Sequence, residues 1–452
     1  MVPIHSPGLD ELFETTRDAD KARVILQHLF HMRQVMKENQ NFAGGLDRNE
    51  RWCPLLASNL KKLVRDYNRI LKILVDSNII EYKTNNTGGK SYYPNKYSMI
   101  YRPVFSKRLL LQDSIRYRKE DITTPGVIKS VGRYYHQRYD KQVARLLRST
   151  PWYQSCLEFM DRLELDITEE EIHQLDVKNA DFTSIQAAQF NSGILKFVTR
   201  DEYGYRIHSH VTNLSKKLRP FLHLKDCNDQ LVLVDVKCSQ PYMLAALCRY
   251  PELIELIPEF RPVASKLRQL SGSTNIRLFF EECRRGVFYD ELMKITGLKK
   301  KPLKELLFGH IFFASLFGHK NNEDLARERR GARHLFSSKF KDILQILDDL
   351  KRTKRSTLPF VYDVTKTIGK NGRTYGKLYC TANLMTNRLE TSLLLDRITR
   401  TCVNIGIETC TIHDAWILKE QDLKAFKAVF HAVFDKLGLP APKLDMEYLN
   451  RA

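Results

Sequence analysis

The run Gln230-Leu-Val-Leu-Val-Asp235 is continuously apolar, rich in strand-favouring residues, and ends in an acid. A segment of that kind is a buried strand, and an acid at its end is delivered to the edge of a sheet. A helix start follows at once, at Pro241-Tyr-Met-Leu-Ala-Ala. Much later, Ile407-Glu-Thr-Cys-Thr-Ile-His-Asp-Ala-Trp-Ile-Leu418 sets a second acid, Asp414, inside another apolar stretch with the texture of a β hairpin. Strand, helix and a distant second strand call for an α/β (α+β) region whose sheet is completed across a long insertion. A single buried aspartate is ordinarily a cap or an ion-pair partner. Two that meet would suit a pair of Mg2+ ions, since hard oxygen ligands are what Mg2+ takes. Such ions lower the pKa of an attacking hydroxyl and stabilise the leaving oxygen of a phosphoryl transfer.

The chain has 452 residues, enough for about three domains. Hydrophobic residues at 43% and aromatics at 10% exclude wholesale disorder. The charge balance is unusual: 73 Lys+Arg against 53 Asp+Glu give a formal +20. That excess points to a polyanionic partner, nucleic acid before membrane. The first ten residues lack a basic and an apolar signal region, and no apolar run approaches a membrane span, so a cytoplasmic protein is expected. Nine scattered cysteines with no C-x2-C pair suggest neither a disulfide framework nor a structural zinc site. A G-x4-G-K-[ST] phosphate loop and a Rossmann glycine run are both absent.

From Ser58, Leu60, Leu63, Val64, Tyr67, Ile70, Leu71, Leu74 and Val75 recur at helical spacing, with Lys61, Lys62, Arg65, Arg69 and Lys72 on the outer face. One helix or two joined helices are expected, then a strand at Ile79–Tyr82, a turn at Asn85–Gly89 and a strand at Tyr97–Tyr101. That order is the tail of a winged helix. Residues 60–110 hold eleven Lys/Arg against three acids, which suits phosphate contact through Lys61, Lys62, Arg65 and Arg69. A protein-docking winged helix is the other reading, because the fold alone fixes no function. Residues 115–200 are helical in texture.

The segment Val234-Asp-Val-Lys-Cys-Ser-Gln-Pro-Tyr-Met-Leu-Ala-Ala246 resembles motif A of the family A (DNA polymerase I-like) DNA polymerases, and Cys238-Ser239 is also similar to the same motif of the bacteriophage-type single-subunit RNA polymerases. Thr411-Ile-His-Asp-Ala415 resembles motif C of both. Between them, Lys300-x3-Lys304-x3-Phe308-x3-Phe312 is similar to the family A fingers helix, with Lys300 where that family has Arg and Phe312-Phe313 where it has Tyr-Gly. Gly204-Tyr-Arg206 to Asn213 resembles a primer-template contact stretch, and Ala382-Asn383-Leu-Met-Thr-Asn387 a minor-groove helix in which Asn387 stands for Gln.

The resemblance spans residues 204–452 and implies a right-hand polymerase palm at 203–452 with helical fingers inserted at about 249–350, a helical thumb at 115–202 and the winged-helix-like domain at 1–114. It implies that Asp235 and Asp414 hold two Mg2+ ions, with Mn2+ able to substitute. Lys304 and Lys300 would neutralise the triphosphate, with Phe308 and Phe312 packing on sugar or base. Arg206, Asn213, Arg219, Asn383 and Asn387 would contact primer-template DNA. His413 would orient the turn or touch a primer phosphate. Gln240, or Tyr242 in a shifted alignment, would guard the ribose 2′ position, and both are bulky, so a DNA polymerase without proofreading exonuclease is expected. A single-subunit RNA polymerase or primase is the alternative, and an inactive nucleic-acid-binding replication or regulatory factor a second one; template, primer type and oligomeric state stay open.

Overall fold

A computed structural model describes residues 2–3, 12–38, 53–84, 98–103, 119–120, 124–175, 180–193, 196–313, 323–368 and 374–449. These residues form a helix-rich mixed α/β structure with small sheets. Two compact units result, residues 1–142 with 167–197, and residues 143–166 with 198–452. The region expected as a thumb, 115–202, is therefore divided between them. Its strand Leu163–Leu165 pairs with Leu222–Leu224, which ties that stretch to the second unit.

In the first unit the helix Thr16–Glu38 precedes the strand Cys53–Leu56, helices Ala57–Leu63 and Tyr67–Asp76, and strands Ile80–Tyr82 and Ser98–Pro103. The last strand lies between the other two in an antiparallel sheet. Of the one helix or two joined helices expected from Ser58, two form, because Val64 turns extended (φ −137°, ψ 108°). The apolar side of both is buried through Leu60, Leu63, Ile70, Leu71 and Leu74, against Ile25 and Leu29 of the first helix. Each such side chain contributes about 1.5–3 kcal/mol. The expected turn at Asn85–Gly89 lies outside the described residues.

The second unit is built on a four-stranded antiparallel sheet in the order Thr409–Ile412, Ala415–Lys419, Leu231–Val236, Leu444–Tyr448. Val232, Val234 and Val236 are buried while Leu233 and Asp235 are half-exposed, the alternation of a strand with one face on a core. Trp416, 1% exposed, fills that core and donates its indole N–H to Thr399 Oγ1 at 2.8 Å. The helix Ser239–Arg249 starts directly after the strand, with Pro241 in its first turn, where a missing N–H costs nothing. It is buried on all sides from Pro241 to Cys248. Among the described residues, helices predominate between this one and Thr381–Glu390, with the short strand pair Thr367–Ile368 and Thr374–Tyr375, and the helical stretch Glu323–Lys351 is kinked at Phe340. Among the described residues, no helix is long and apolar enough to cross a membrane.

Candidate active site

The two acids singled out by the sequence come together. Asp235 pairs in register with Ala415, and the Val236 amide donates to the Asp414 carbonyl at 3.2 Å. Asp414 is the second residue of a two-residue turn whose first residue, His413, has φ 57°, a left-handed conformation that positions the acid at the head of the Ala415–Lys419 strand. On the other side of Asp235, its register partner is Asp445, which is exposed and ion-paired to Lys237 at 3.4 Å. Side chains paired across antiparallel strands share a face. Asp235 and Asp445 therefore lie on the same half-exposed face, which also carries Glu447 opposite Leu233.

Burial, then the charge of Asp414, push the Asp235 carboxyl up to about 7, with Lys216 and Lys304 pulling the other way. Burial likewise raises Asp414, against Arg206, Lys216 and Lys304. Among the described residues neither carboxylate is held in an ion pair or by a hydrogen bond from another residue's side chain. Two crowded, poorly solvated carboxylates whose proton affinity is raised are a costly pair of bare charges and a suitable donor set for a hard divalent cation. No cluster of three or more His, Cys, Asp or Glu with metal-holding geometry occurs among the described residues, so the carboxylates would share a cation with substrate or solvent oxygens.

The surrounding residues divide into those at the acids and those elsewhere. Arg219 donates to the Leu214 and Thr212 carbonyls at 3.2 and 3.3 Å. Burial lowers its pKa, partly offset by Asp235, Asp414 and Glu447. Lys304 lies with its ammonium 4.9 Å from the Tyr289 ring centre, and Lys300 is exposed at the start of the helix Lys300–Leu307. His413 is held neutral, its pKa lowered to about 4 by burial and then by Arg206, and its ring lies edge-on to His208 at 5.5 Å. His208 is bonded through Nε2 to Asp201 at 2.7 Å.

Several expectations change. Tyr242 is fully buried and donates its hydroxyl to the Pro440 carbonyl at 2.8 Å, so it packs the core. The reason is the all-round burial of its helix. Lys300, Lys304, Phe308 and Phe312 do not lie on one continuous α-helix, although the Phe308 and Phe312 rings are in contact, with centres 5.5 Å apart. The helix ends at Leu307 and Phe308–Phe312 form a π-helical turn, whose wider repeat turns Phe312 inward to 3% exposure against Phe336. Asn387 is buried, accepts from Gln240 Nε2 at 2.8 Å and donates to Asn383 Oδ1 at 2.7 Å. Its amide is thus already paired on both sides, and it holds Gln240 in place. Asn213 is exposed in the loop after the strand Ile207–Ser209. In the first unit Lys61, Lys62 and Arg65 are exposed, whereas Arg69 is ion-paired to Asp18 and Asp66 at 2.7 and 3.0 Å.

One carboxylate was missed. Glu390 is 2% exposed at the end of the helix Thr381–Glu390, accepts from Ser239 Oγ at 2.7 Å and is ion-paired to Arg206. Burial raises its pKa; Arg206 opposes the shift and Asp414 adds to it. The signal in the sequence is an acid set within Met385 to Leu395, where Arg388 is the one other charged residue.

No protein-family model matches the chain, and no curated protein matches it. Among solved structures it is similar to the POL domain of Pol1 from M. smegmatis, in complex with DNA primer-template and dNTP, at 10% sequence identity and a TM-score of 0.32. The match covers 72% of this chain and 65% of that one. At that identity and score the likeness assigns neither fold nor activity.

Proposed function

We propose that the chain is a template-directed nucleotidyltransferase, a DNA polymerase that adds dNTPs to a 3′-hydroxyl and has no proofreading exonuclease. One observation carries this reading: Asp235 on the half-exposed sheet face and Asp414 in the turn at the head of the neighbouring strand are held together by backbone pairing, without ion-pair partners among the described residues, amid the positive charges of Arg206, Lys216 and Lys304. The sheet would be the palm, and the helices between its first two acid-bearing elements the fingers.

Asp235 and Asp414 would hold Mg2+ or Mn2+, which would supply the acidity that ionises the hydroxyl and the charge that offsets the phosphates. Lys304, and more distantly Lys300, balance negative charge gathering on the leaving phosphates, so catalysis is mainly positioning and electrostatics. Phe308, half-buried at the start of the π-helical turn, packs against the nucleotide. Gln240, fixed by Asn387, fills the space beside the sugar. Arg219 and Asn213 contact the primer-template backbone. Neutral His413 holds the turn.

The first unit reads as a winged helix, supported by its helix–strand–helix–helix–strand–strand order and by the placement of the last strand between the other two. Lys61, Lys62, Arg65 and Lys72 are its phosphate-binding face, and Arg69 braces the helix pair.

Primer extension tests the function. The purified chain, with Mg2+ and a primed DNA template, should extend the primer with dNTPs. Preference for rNTPs would make it an RNA polymerase or primase. Retardation of DNA without extension would make it a binding factor, and cleavage without nucleotides a nuclease.

A further inference from the structure

Glu390 uses both carboxylate oxygens, one on Ser239 Oγ at 2.7 Å and one on the Arg206 guanidinium. Ser239 begins the helix that follows Asp235. Arg206 lies on the segment 202–206, and the end of the Glu390 helix fastens that segment through its backbone carbonyls. Arg388 donates to the Tyr203 and Glu202 carbonyls at 2.9 and 3.0 Å. Thr391 Oγ1 donates to the Gly204 carbonyl at 2.7 Å. Gly204 lies so near Asn387 that an added Cβ would meet the Asn387 Cβ at 2.9 Å. The base of Arg206 is thus fixed, and its head has two acids within electrostatic reach, Glu390 and Asp414. Arg206 Nε is buried without a hydrogen-bond partner among the described residues, so the guanidinium is committed to Glu390 through one nitrogen.

Arg206 is bonded to Glu390 and makes no hydrogen bond or ion pair with Asp414 among the described residues. A guanidinium bound to Asp414 would place a permanent positive charge where a divalent cation must come, and like charges in a poorly solvated site repel strongly. We propose that Glu390 is a positioning residue that keeps Arg206 as its own counter-ion, so that Asp414 and Asp235 stay open to a divalent cation. This rests on the metal-binding reading of the two aspartates given above. Glu390 itself touches neither cation nor nucleotide: its oxygens are already occupied by Ser239 and Arg206.

The test is Mn2+ binding to the 452-residue chain without nucleotide, followed by the electron paramagnetic resonance signal of free Mn2+. Wild type should bind, and Asp235→Asn and Asp414→Asn should each lose that binding. Glu390→Gln should bind about tenfold or more weakly, the range typical of removing a group that orients a ligand. Adding Arg206→Met to Glu390→Gln should restore the affinity, and Arg206→Met alone should bind at least as tightly as wild type. That single variant keeps the test decisive if Glu390→Gln fails to fold, which circular dichroism would reveal. A double variant as weak as Glu390→Gln, or Arg206→Met weaker than wild type, would overturn the role of Glu390 while leaving the aspartates as ligands. Wild type that binds no Mn2+ through the aspartates would overturn both.

Discussion

The Val236 amide donates to the Asp414 carbonyl at 3.2 Å, so the residue after one candidate acid is pinned to the other. The two carboxylates are therefore held by backbone pairing of adjacent strands, which sets their separation more rigidly than side-chain packing could. Burial raises the proton affinity of both, and the charge of Asp414 adds to the shift at Asp235.

Lys304 lies near both aspartates in charge and stacks on Tyr289. Lys304→Met should lower kcat/KM for dNTP by about 10- to 100-fold, the loss of roughly 1.4–2.8 kcal/mol of charge stabilisation. Lys300→Met should cost less. Steady-state incorporation on one primed template measures both, and equal small effects would remove Lys304 from the site.

Tyr242→Phe should leave nucleotide incorporation and sugar discrimination unchanged and lower stability by about 1 kcal/mol, the loss of one hydrogen bond to the Pro440 carbonyl. Gln240→Ala should instead alter the ratio of dNTP to rNTP incorporation. Changed sugar selectivity in the Tyr242 variant would return that residue to the nucleotide.

These two residues mark how far the sequence could be read. The strand Leu231–Val236 was legible because its apolar run ends in an acid, and the turn at His413-Asp414 because it interrupts a second such run. Tyr242 was misjudged because a helix buried on every side has no periodicity to say which residues face a ligand. The four-residue spacing from Lys300 to Phe312 assumed a continuous α-helix, and the π-helical turn at Phe308 breaks that phase. Asp445 could not be found at all: only the pairing of a strand some 200 residues away brings it opposite Asp235. Glu390 owes its significance to Arg206 and Ser239, both remote in sequence.

The first unit should weaken in acid. His28 is 1% exposed, and burial, then the charge of Arg138, lower its pKa to about 4 from 6.5. The unfolded chain takes up the proton first, so stability is full above pH 6.5 and is lost as pH falls towards 4, by on the order of 3 kcal/mol. Denaturant unfolding between about pH 4 and 7 should show this slope, and His28→Leu should flatten it. An unchanged slope in that variant would place the acid sensitivity elsewhere.

Replacing Lys61, Lys62 and Arg65 together with alanine should weaken DNA binding across all sequences. It should also reduce the slope of log affinity against log salt by about 0.9 for each phosphate that is no longer neutralised. Titrations at several salt concentrations measure this, and an unaltered slope would assign the first unit to a partner other than nucleic acid.

The most direct measurement is extension of a primed DNA template by wild type, Asp235→Asn and Asp414→Asn, with Mg2+ and dNTPs, alongside DNA binding by each. Wild type should extend the primer, and each variant should lose about a thousandfold or more of the rate while binding DNA as wild type does. Undiminished extension by either variant would contradict the assignment of the two carboxylates as the catalytic centre.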